Sequence, residues 1–191
     1  MLTTGFQALV AFTLALSAWV VVELYLGRRT SWTRMPLAAP WSEVLISAST
    51  IVALVAAVFA TSIPGAQISP LGPAVGLGIV LMMAGVAVRV IAAGNLGSYY
   101  TLNLGIQPGQ AVYSGGLYRW VRHPGYSGTL TALLGVGVAM GNWYSILAIL
   151  LIVPALGGRI ALEERLLSRA FGDAYDTYCK RTRWRLLPGV L

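Results

Sequence analysis

The sequence predicts an all-α integral membrane protein with five transmembrane helices, and three observations support this class. Hydrophobic residues make up 57% of the 191 residues and charged residues only 10%, which is outside the range of ordinary soluble domains. Several apolar stretches are long enough to cross a hydrocarbon core of about 30 Å. Most of the arginines lie in the segments that join or follow these stretches at one side.

The five predicted spans follow one another with short connections. The first three are long enough to cross a bilayer by themselves. The last two are shorter and are separated only by Gly141 and Asn142, a spacing typical of a tight helical hairpin. In chain order the predicted spans are residues 5–26, 44–63, 74–93, 125–140 and 143–156. No Lys or Arg precedes the first span and its apolar run exceeds a signal-peptide core, so we expect that span to be retained.

The charges favour one orientation in the membrane. Residues 64–73 and 141–142 carry no charge. Arginines occur instead after the first span, before the fourth and after the fifth: Arg28, Arg29, Arg34, Arg119, Arg122 and Arg159. Because basic residues favour the cytosolic side, we expect the N-terminus outside and the C-terminus in the cytosol.

Composition argues against several other functions. The net charge of +7 is spread along one membrane face, as expected for a protein that contacts membrane lipids and not nucleic acid. A single histidine, a single cysteine and six carboxylates cannot easily supply the usual zinc ligands, so we predict no metal site. Cys179 has no second cysteine to pair with, and we expect a reduced thiol.

The chain divides into residues 1–93, with three spans, and residues 94–191, which we expect to form the catalytic half. The segment 94–124 is rich in glycine and lacks helical periodicity, so it predicts an ordered loop. Loops of this length in compact proteins are commonly functional. Its aromatic residues also suit anchoring at the membrane interface.

The stretch "LYRWVRHPGYSG" at residues 117–128 is the first candidate site. Proline disfavours a helical conformation in the residue before it and suits the first helical turn. We therefore expect Pro124 to begin the fourth helix and His123 to lie at its edge, where free backbone N–H groups attract anions. Gly125 and Gly128 would let a ligand approach the backbone closely. The simpler interpretation of Arg119 and Arg122 is that they are the basic residues expected on the cytosolic side of a membrane span.

The second candidate is "RIALEERLLSRAFG" at residues 159–172. Its apolar residues recur at helical spacing, and Glu163 and Glu164 interrupt that face, so at least one carboxylate should point inward. A carboxylate facing inward near lipid is a candidate functional residue. An ion pair between Arg159 and Glu163, four residues apart, is the simpler interpretation.

These two motifs, with "NLGSYYTLNLG" upstream and "RTRWRLLPG" at the end, resemble the isoprenylcysteine carboxyl methyltransferase family and the related phospholipid methyltransferases. The resemblance covers roughly residues 94–188 and implies an S-adenosylmethionine-dependent enzyme whose cytosolic C-terminal region binds the cofactor. It implies a lipophilic acceptor that enters from the bilayer, most simply the carboxylate of an isoprenylcysteine-like molecule.

The resemblance also implies roles for individual residues. His123, Pro124, Tyr126 and Gly128 would line the cofactor pocket, and Glu163 and Glu164 would hold its amino group or ribose hydroxyls. Tyr175 and Tyr178 would close the pocket, although interfacial anchoring explains them equally well. Arg159 would orient the acceptor, with Arg122 or Arg119 able to share that role. A small prenyl thioether acid, a fatty acid or another lipid all remain possible acceptors.

Three other functions remain open at this point. Methylation of a lipid amine or thiol would need a base such as His123. A membrane sterol or enone reductase that uses NADPH resembles the same C-terminal half. A membrane scaffold without catalytic activity would tolerate loss of His123, Glu163 and Glu164.

Overall fold

The computed structural model describes residues 2–29, 39–102 and 104–189, and helices and loops make up these residues. No β-strand forms within these ranges, and Gln67 and Asn142 make an isolated antiparallel bridge. The seven helices of these ranges are α1 (Leu2–Arg29), α2 (Pro40–Ala60), α3 (Leu71–Leu96), α4 (Pro124–Ala139), α5 (Trp143–Ile149), α6 (Val153–Phe171) and α7 (Asp173–Arg181). Short 3-10 turns add Gly97–Tyr99, Gly116–Arg119 and Leu150–Ile152. The predicted all-α class is confirmed for the described residues. Arg34 of the sequence argument lies outside them.

Three helical segments of the described chain are long and apolar enough to cross a membrane. They are Trp41–Ala60, Leu71–Tyr99 and Trp143–Phe171. The predicted spans 5–26 and 125–140 coincide with α1 and with the 16-residue α4. The fifth span extends further than predicted, because the turn Leu150–Ile152 joins α5 to α6. Pro154 is tolerated there because it lies in the first turn of α6, where its missing N–H is not needed.

Helices α3 and α4 pack at very short range through glycines. A Cβ atom on Gly85 would lie 2.4 Å from the backbone nitrogen of Ala132, and one on Gly135 would lie 2.6 Å from the carbonyl oxygen of Gly78. Small residues at regular spacing let the backbones of membrane helices approach each other. Gly128 belongs to this contact, since a Cβ there would lie 2.6 Å from the carbonyl oxygen of Gly85.

The apolar core gathers residues from five helices, and its fully buried members include Met82, Leu133 and Ile149. At one end of this core the uncharged connection after α2 pairs with the turn before α5. The N–H of Ile68 donates to the carbonyl of Gly141 at 2.8 Å, and that of Trp143 donates to Ala66 at 2.9 Å. The opposite end holds the start of α2, the end of α3, the start of α4 and the long loop between them. The charged residues of the candidate site lie at that opposite end.

Candidate active site

The start of α4 is held against the C-terminal segment that follows α7. His123 is the N-cap residue and Pro124 the first helical residue, as the sequence predicted. The backbone N–H groups of Arg122 and His123 donate to the carbonyls of Trp184 and Arg185, both at 2.9 Å. These two bonds fix the turn that carries the histidine. His123 is buried, with 4% of its surface exposed.

The His123 ring lies between the two glutamates of α6. Its Nε2 atom is 3.3 Å from Glu164 Oε1, and its Nδ1 atom is 3.9 Å from Glu163 Oε1. The side chain of Glu164 is only 13% exposed, so the prediction that at least one carboxylate points inward is confirmed. Residues 123 and 163–164 thus form one polar cluster from two helices.

Glu164 makes more ion pairs than Glu163, the other carboxylate of this cluster. One oxygen lies 2.9 Å from an Arg122 nitrogen, and the other lies 3.0 Å from an Arg185 nitrogen. The hydrogen bond with Glu164 raises the pKa of the Arg185 guanidinium. Arg122 also donates to Cys179 Sγ at 3.2 Å and to the carbonyl of Arg183 at 3.3 Å. Glu164 therefore ties α6 to both α4 and the C-terminal segment.

Glu163 has a different environment, although it is the adjacent residue. The Tyr126 hydroxyl donates to Glu163 Oε2 at 2.8 Å, and the same hydroxyl accepts from Arg159 Nε at 3.1 Å. The ion pair between Arg159 and Glu163, the simpler interpretation of the sequence, does not form in the structure, where Arg159 pairs with Glu43. Tyr126 lies between Arg159 and Glu163 and bonds to both.

Arg159 is buried, with 4% of its surface exposed, and all three of its side-chain nitrogens are bonded. One terminal nitrogen donates to Ser42 Oγ at 2.5 Å. The other donates to the Glu43 carboxylate and, at 2.5 Å, to the carbonyl of Leu102. Arg159 thus joins α6 to the start of α2 and to the loop after α3.

A second arginine carries an ion pair inside the helix bundle. Arg89 of α3 lies 2.5 Å from Glu23 of α1 through its Nε atom, and its NH2 atom donates to the other carboxylate oxygen at 2.8 Å. The Trp19 indole donates to Glu23 at 3.2 Å. Arg89 NH1 donates to Thr129 Oγ1 at 2.9 Å and to the carbonyl of Gly125 at 3.4 Å.

Several of these side chains line one cavity of about 1090 Å³, including the part open to solvent. Its wall combines three kinds of residue. The tyrosines are Tyr99, Tyr100, Tyr113, Tyr118, Tyr126, Tyr175 and Tyr178. The apolar residues include Leu96, Leu104, Ile106, Val112, Leu166, Leu167 and Phe171. The ionisable residues besides tyrosine are Arg89, Arg122, His123, Arg159 and Glu163.

Burial keeps three tyrosines of this wall as neutral hydrogen-bonding groups. Burial raises the pKa of Tyr118, Tyr175 and Tyr178 above the ordinary value. The Tyr178 hydroxyl donates to the carbonyl of Tyr118 at 2.8 Å. The Tyr175 hydroxyl is buried and finds no hydrogen-bond partner among the described residues. A buried donor without a partner is costly, so this hydroxyl suits a polar group of a ligand.

The structure brings most of the sequence-predicted site residues to the cavity. Seven of them line it: Arg122, His123, Tyr126, Arg159, Glu163, Tyr175 and Tyr178. Glu164 lies behind His123 and lines a separate, shallow surface cleft with Arg165, Arg169 and Arg185. Arg119 stacks over Trp120 instead, with its guanidinium carbon 5.0 Å from the ring centre. Pro124 is buried in the start of α4, and Gly128 contacts α3, so neither lines the cavity.

Sequence reasoning missed the partners that the first two helices and α3 supply. Glu23, Ser42, Glu43 and Arg89 all bond to the site or line its cavity. A signal for some of them was present, since Glu23 and Arg89 are ionisable residues inside apolar helices. Their pairing across 66 residues of chain is a product of the fold and cannot be read from spacing.

The charges around the cavity leave one carboxylate without a cation. Arg89 pairs with Glu23, Arg159 pairs with Glu43, and Arg122 shares Glu164 with Arg185. Within the described residues, no Lys or Arg lies within 4.0 Å of Glu163, which holds only the Tyr126 hydroxyl and faces His123. The cavity therefore favours a ligand that carries positive charge near Glu163.

Fold and site together define a helical membrane protein with a polar, tyrosine-lined cavity at one end of its bundle. Residues 77–169 match the isoprenylcysteine carboxyl methyltransferase (ICMT) family. The resemblance predicted from the two motifs is therefore confirmed for this segment, which is just under half of the chain.

Curated relatives agree with the family match. A probable protein-S-isoprenylcysteine O-methyltransferase of Oryza sativa subsp. indica is 31% identical over 108 residues, which are 55% of this chain and 56% of the rice protein. A protein-S-isoprenylcysteine O-methyltransferase of Schizosaccharomyces pombe is 39% identical over 67 residues, covering 35% of this chain and 28% of the yeast protein. The chain thus spans about half the length of the rice relative that it matches.

Proposed function

We propose that this protein is a membrane methyltransferase that uses S-adenosylmethionine to methylate the carboxylate of an isoprenylcysteine-like lipid. The family match and the names of the relatives support this reaction class. The observation that carries the proposal for this chain is the unpaired carboxylate of Glu163 in a cavity lined with tyrosines.

The donor set of the cavity fits S-adenosylmethionine. This cofactor carries a sulfonium and an ammonium cation, for which the Glu163 carboxylate and the tyrosine rings are suitable partners. Its polar groups would also give the buried Tyr175 hydroxyl a partner. NADPH fits less well, because every arginine of the cavity is already paired with a carboxylate and would have to exchange it to hold several phosphate charges.

We assign the cofactor to His123, Tyr126, Glu163, Tyr175 and Tyr178. Glu164 acts on this group indirectly, because it fixes the His123 ring and the Arg122 guanidinium. Pro124 and Gly128 act through the backbone. Proline sets the start of α4, and Gly128 lets that helix approach α3.

The bound cofactor supplies an electrophilic methyl group, and the acceptor carboxylate is already an anionic nucleophile. The protein therefore needs no strong base and contributes positioning and exclusion of water. The loop that contains Leu104, Ile106 and Val112 and the α6 residues Leu166 and Leu167 provide an apolar wall for this purpose. His123 and Tyr126 hold the polar side of the cavity in place through the two glutamates.

The arginine that orients the acceptor is a separate question. Arg122 lines the cavity, with its contacts to Glu164, Cys179 and Arg183 holding its terminal nitrogens. Arg159 reaches an acceptor only if Glu43 or another of its bonded oxygens gives way. Arg119 stacks on Trp120 and does not line the cavity. In this proposal it acts as a basic residue at the cytosolic membrane interface.

The same proposal includes the orientation in the membrane. The site lies at the bundle end that holds the arginine-rich segments, and the opposite end carries the uncharged connection of residues 64–73. The positive-inside rule then places the site and the C-terminus in the cytosol and the N-terminus outside. The lipophilic acceptor would enter from the bilayer.

Calorimetric titration of detergent-purified protein with S-adenosylmethionine, S-adenosylhomocysteine and NADPH tests this function. We expect the first two to bind and Glu163→Gln to weaken both about tenfold, equivalent to about 1.4 kcal/mol. A larger loss for S-adenosylmethionine would place Glu163 at the sulfonium, because only that ligand carries the extra charge. Asp176→Asn, the same chemical change on the exposed face of α7, is the matched control.

The alternatives give different results in the same titrations. Binding of NADPH alone would replace the methyltransferase with a reductase, and binding of none of the three by folded protein would favour a scaffold. Transfer of labelled methyl from S-adenosylmethionine to an S-prenylated N-acetylcysteine, compared with a lipid amine, then identifies the acceptor class. Methylation of the amine alone would overturn the carboxylate assignment.

A further inference from the structure

Arg89 is a cavity arginine that lies within the apolar helix α3. It precedes the end of α3 at Leu96 by seven residues, about 10 Å along the helix. Its side chain is 10% exposed and lines the cavity wall. An arginine inside an apolar helix that faces a cavity is a candidate for recognition of a charged ligand.

One edge of the Arg89 guanidinium contacts a carboxylate, and the other edge contacts only neutral oxygens. Glu23 occupies the edge formed by Nε and NH2, at 2.5 and 2.8 Å. On the other edge, NH1 meets only the Thr129 hydroxyl at 2.9 Å and the carbonyl of Gly125 at 3.4 Å. Guanidinium has five N–H donors in a planar fork, so a carboxylate can bind the second edge while Glu23 stays on the first.

The other two cavity arginines are held differently. The nitrogens of Arg159 are all bonded, and one of them holds the Glu43 carboxylate. The terminal nitrogens of Arg122 bond Glu164, Cys179 and the carbonyl of Arg183, and its buried Nε has no hydrogen-bond partner among the described residues. Arg89 differs from Arg122 in lying within the apolar helix α3, where a carboxylate attached to a lipid can displace the neutral groups at NH1.

Stability alone does not explain the pair of Glu23 and Arg89. Replacing a buried ion pair with apolar residues of similar volume is often neutral or stabilising, because both charges must be desolvated. Glu23 compensates the charge of Arg89 from α1 and is not itself part of the cavity wall. Its position allows an arginine to remain charged at the membrane side of the cavity.

We infer that Arg89, held in place by Glu23, binds the carboxylate of the lipid acceptor through its NH1 edge. This inference rests on the proposed function and assigns acceptor recognition to a residue from the first half of the chain. Arg89 contacts the acceptor directly, whereas Glu23 is a positioning residue. Thr129 and the first turn of α4 complete the acceptor side of the site.

The test compares an S-prenylated N-acetylcysteine with its neutral carboxamide by calorimetry, with and without S-adenosylhomocysteine. We expect wild-type protein to bind the acid about tenfold or more tightly than the amide, as for a charge-assisted pair. The double variant Glu23→Gln/Arg89→Met should bind both within about twofold while its affinity for S-adenosylhomocysteine is unchanged. The double change is chosen because Arg89→Met alone leaves a buried carboxylate without its cation.

Two further variants complete the test. Arg89→Lys should retain part of the preference for the acid, because it keeps the charge but not the planar fork. Arg28→Met removes an exposed cation from the same bundle and should keep the full preference. An undiminished preference in the double variant would overturn the inference, as would loss of S-adenosylhomocysteine binding in that variant together with acid binding. If wild type prefers the acid and the double variant does not, but wild type fails to bind S-adenosylhomocysteine, the methyltransferase proposal fails and the assignment of Arg89 to carboxylate binding stands.

Discussion

The segment 77–169, which matches the ICMT family, and the two helices before it contribute opposite charges to the same ion pairs. The matched segment supplies Arg89 and Arg159, and the preceding helices supply Glu23 and Glu43. The matched segment therefore contains only one side of each of these two pairs. Two helices with no distinctive sequence pattern determine whether these arginines are held in place.

The effect of Glu43 on stability is the strongest test of this comparison. Glu43→Ala leaves the Arg159 guanidinium, 4% exposed, without its carboxylate. We expect a loss of about 3 kcal/mol, the low end for breaking a buried pair because the Glu43 side chain is 33% exposed. Thermal unfolding in detergent, followed by tryptophan fluorescence, measures the change.

Two variants separate the charge effect from a general disturbance of α2. Glu43→Gln keeps an oxygen acceptor for Arg159 and should lose less than Glu43→Ala. Glu43→Ala/Arg159→Met removes both charges and should recover part of the stability. If Glu43→Ala unfolds at the wild-type temperature, the first two helices do not hold the site and the comparison between the regions fails.

A variant that disturbs helix packing inside the matched segment tests how much stability this segment contributes without the first two helices. Gly85→Ala would place a Cβ atom 2.4 Å from the Ala132 nitrogen and 2.5 Å from the Gly128 carbonyl oxygen, so α3 and α4 must separate. Overpacking of this kind costs about 2 kcal/mol. We expect lower thermal stability from steric conflict alone, since no ion pair changes.

Gly76→Ala on the same helix is the matched control for Gly85→Ala. Nothing lies within 4 Å of a Cβ atom at Gly76, and alanine favours the helix over glycine by up to about 1 kcal/mol. Its thermal stability should equal or exceed that of wild type. Equal losses in both variants would indicate a general intolerance of α3 and not the close contact with α4.

Sequence reasoning located the elements of this site better than the contacts between them. The helix start at Pro124 follows from local rules of backbone geometry. Helical periodicity predicts that Glu163 or Glu164 points inward, and the structure shows that Glu164 is largely buried. Gly128 illustrates the limit, because a glycine that allows close approach of a ligand and one that allows close approach of a helix look identical in sequence. The structure places it against Gly85. Likewise, only the fold shows that Arg159 bonds Glu43 of a distant helix and not Glu163 one turn away.

The smallest expected change in stability comes from α7, which follows the matched segment, and it depends on pH. Burial raises the pKa of Tyr175 and Tyr178 on α7, so the folded state keeps protons that the unfolded chain loses near pH 10. The stabilisation is complete below that pH and is lost as the pH rises, at up to about 1.4 kcal/mol per pH unit for each tyrosine.

Tyr175→Phe is the cleaner variant, because the Tyr175 hydroxyl has no hydrogen-bond partner in the described chain. Its unfolding temperature should match wild type at pH 8 and exceed it at pH 11, with the exposed Tyr144→Phe as control. If Tyr175→Phe and wild type lose stability equally between these pH values, α7 does not bury this tyrosine against the site.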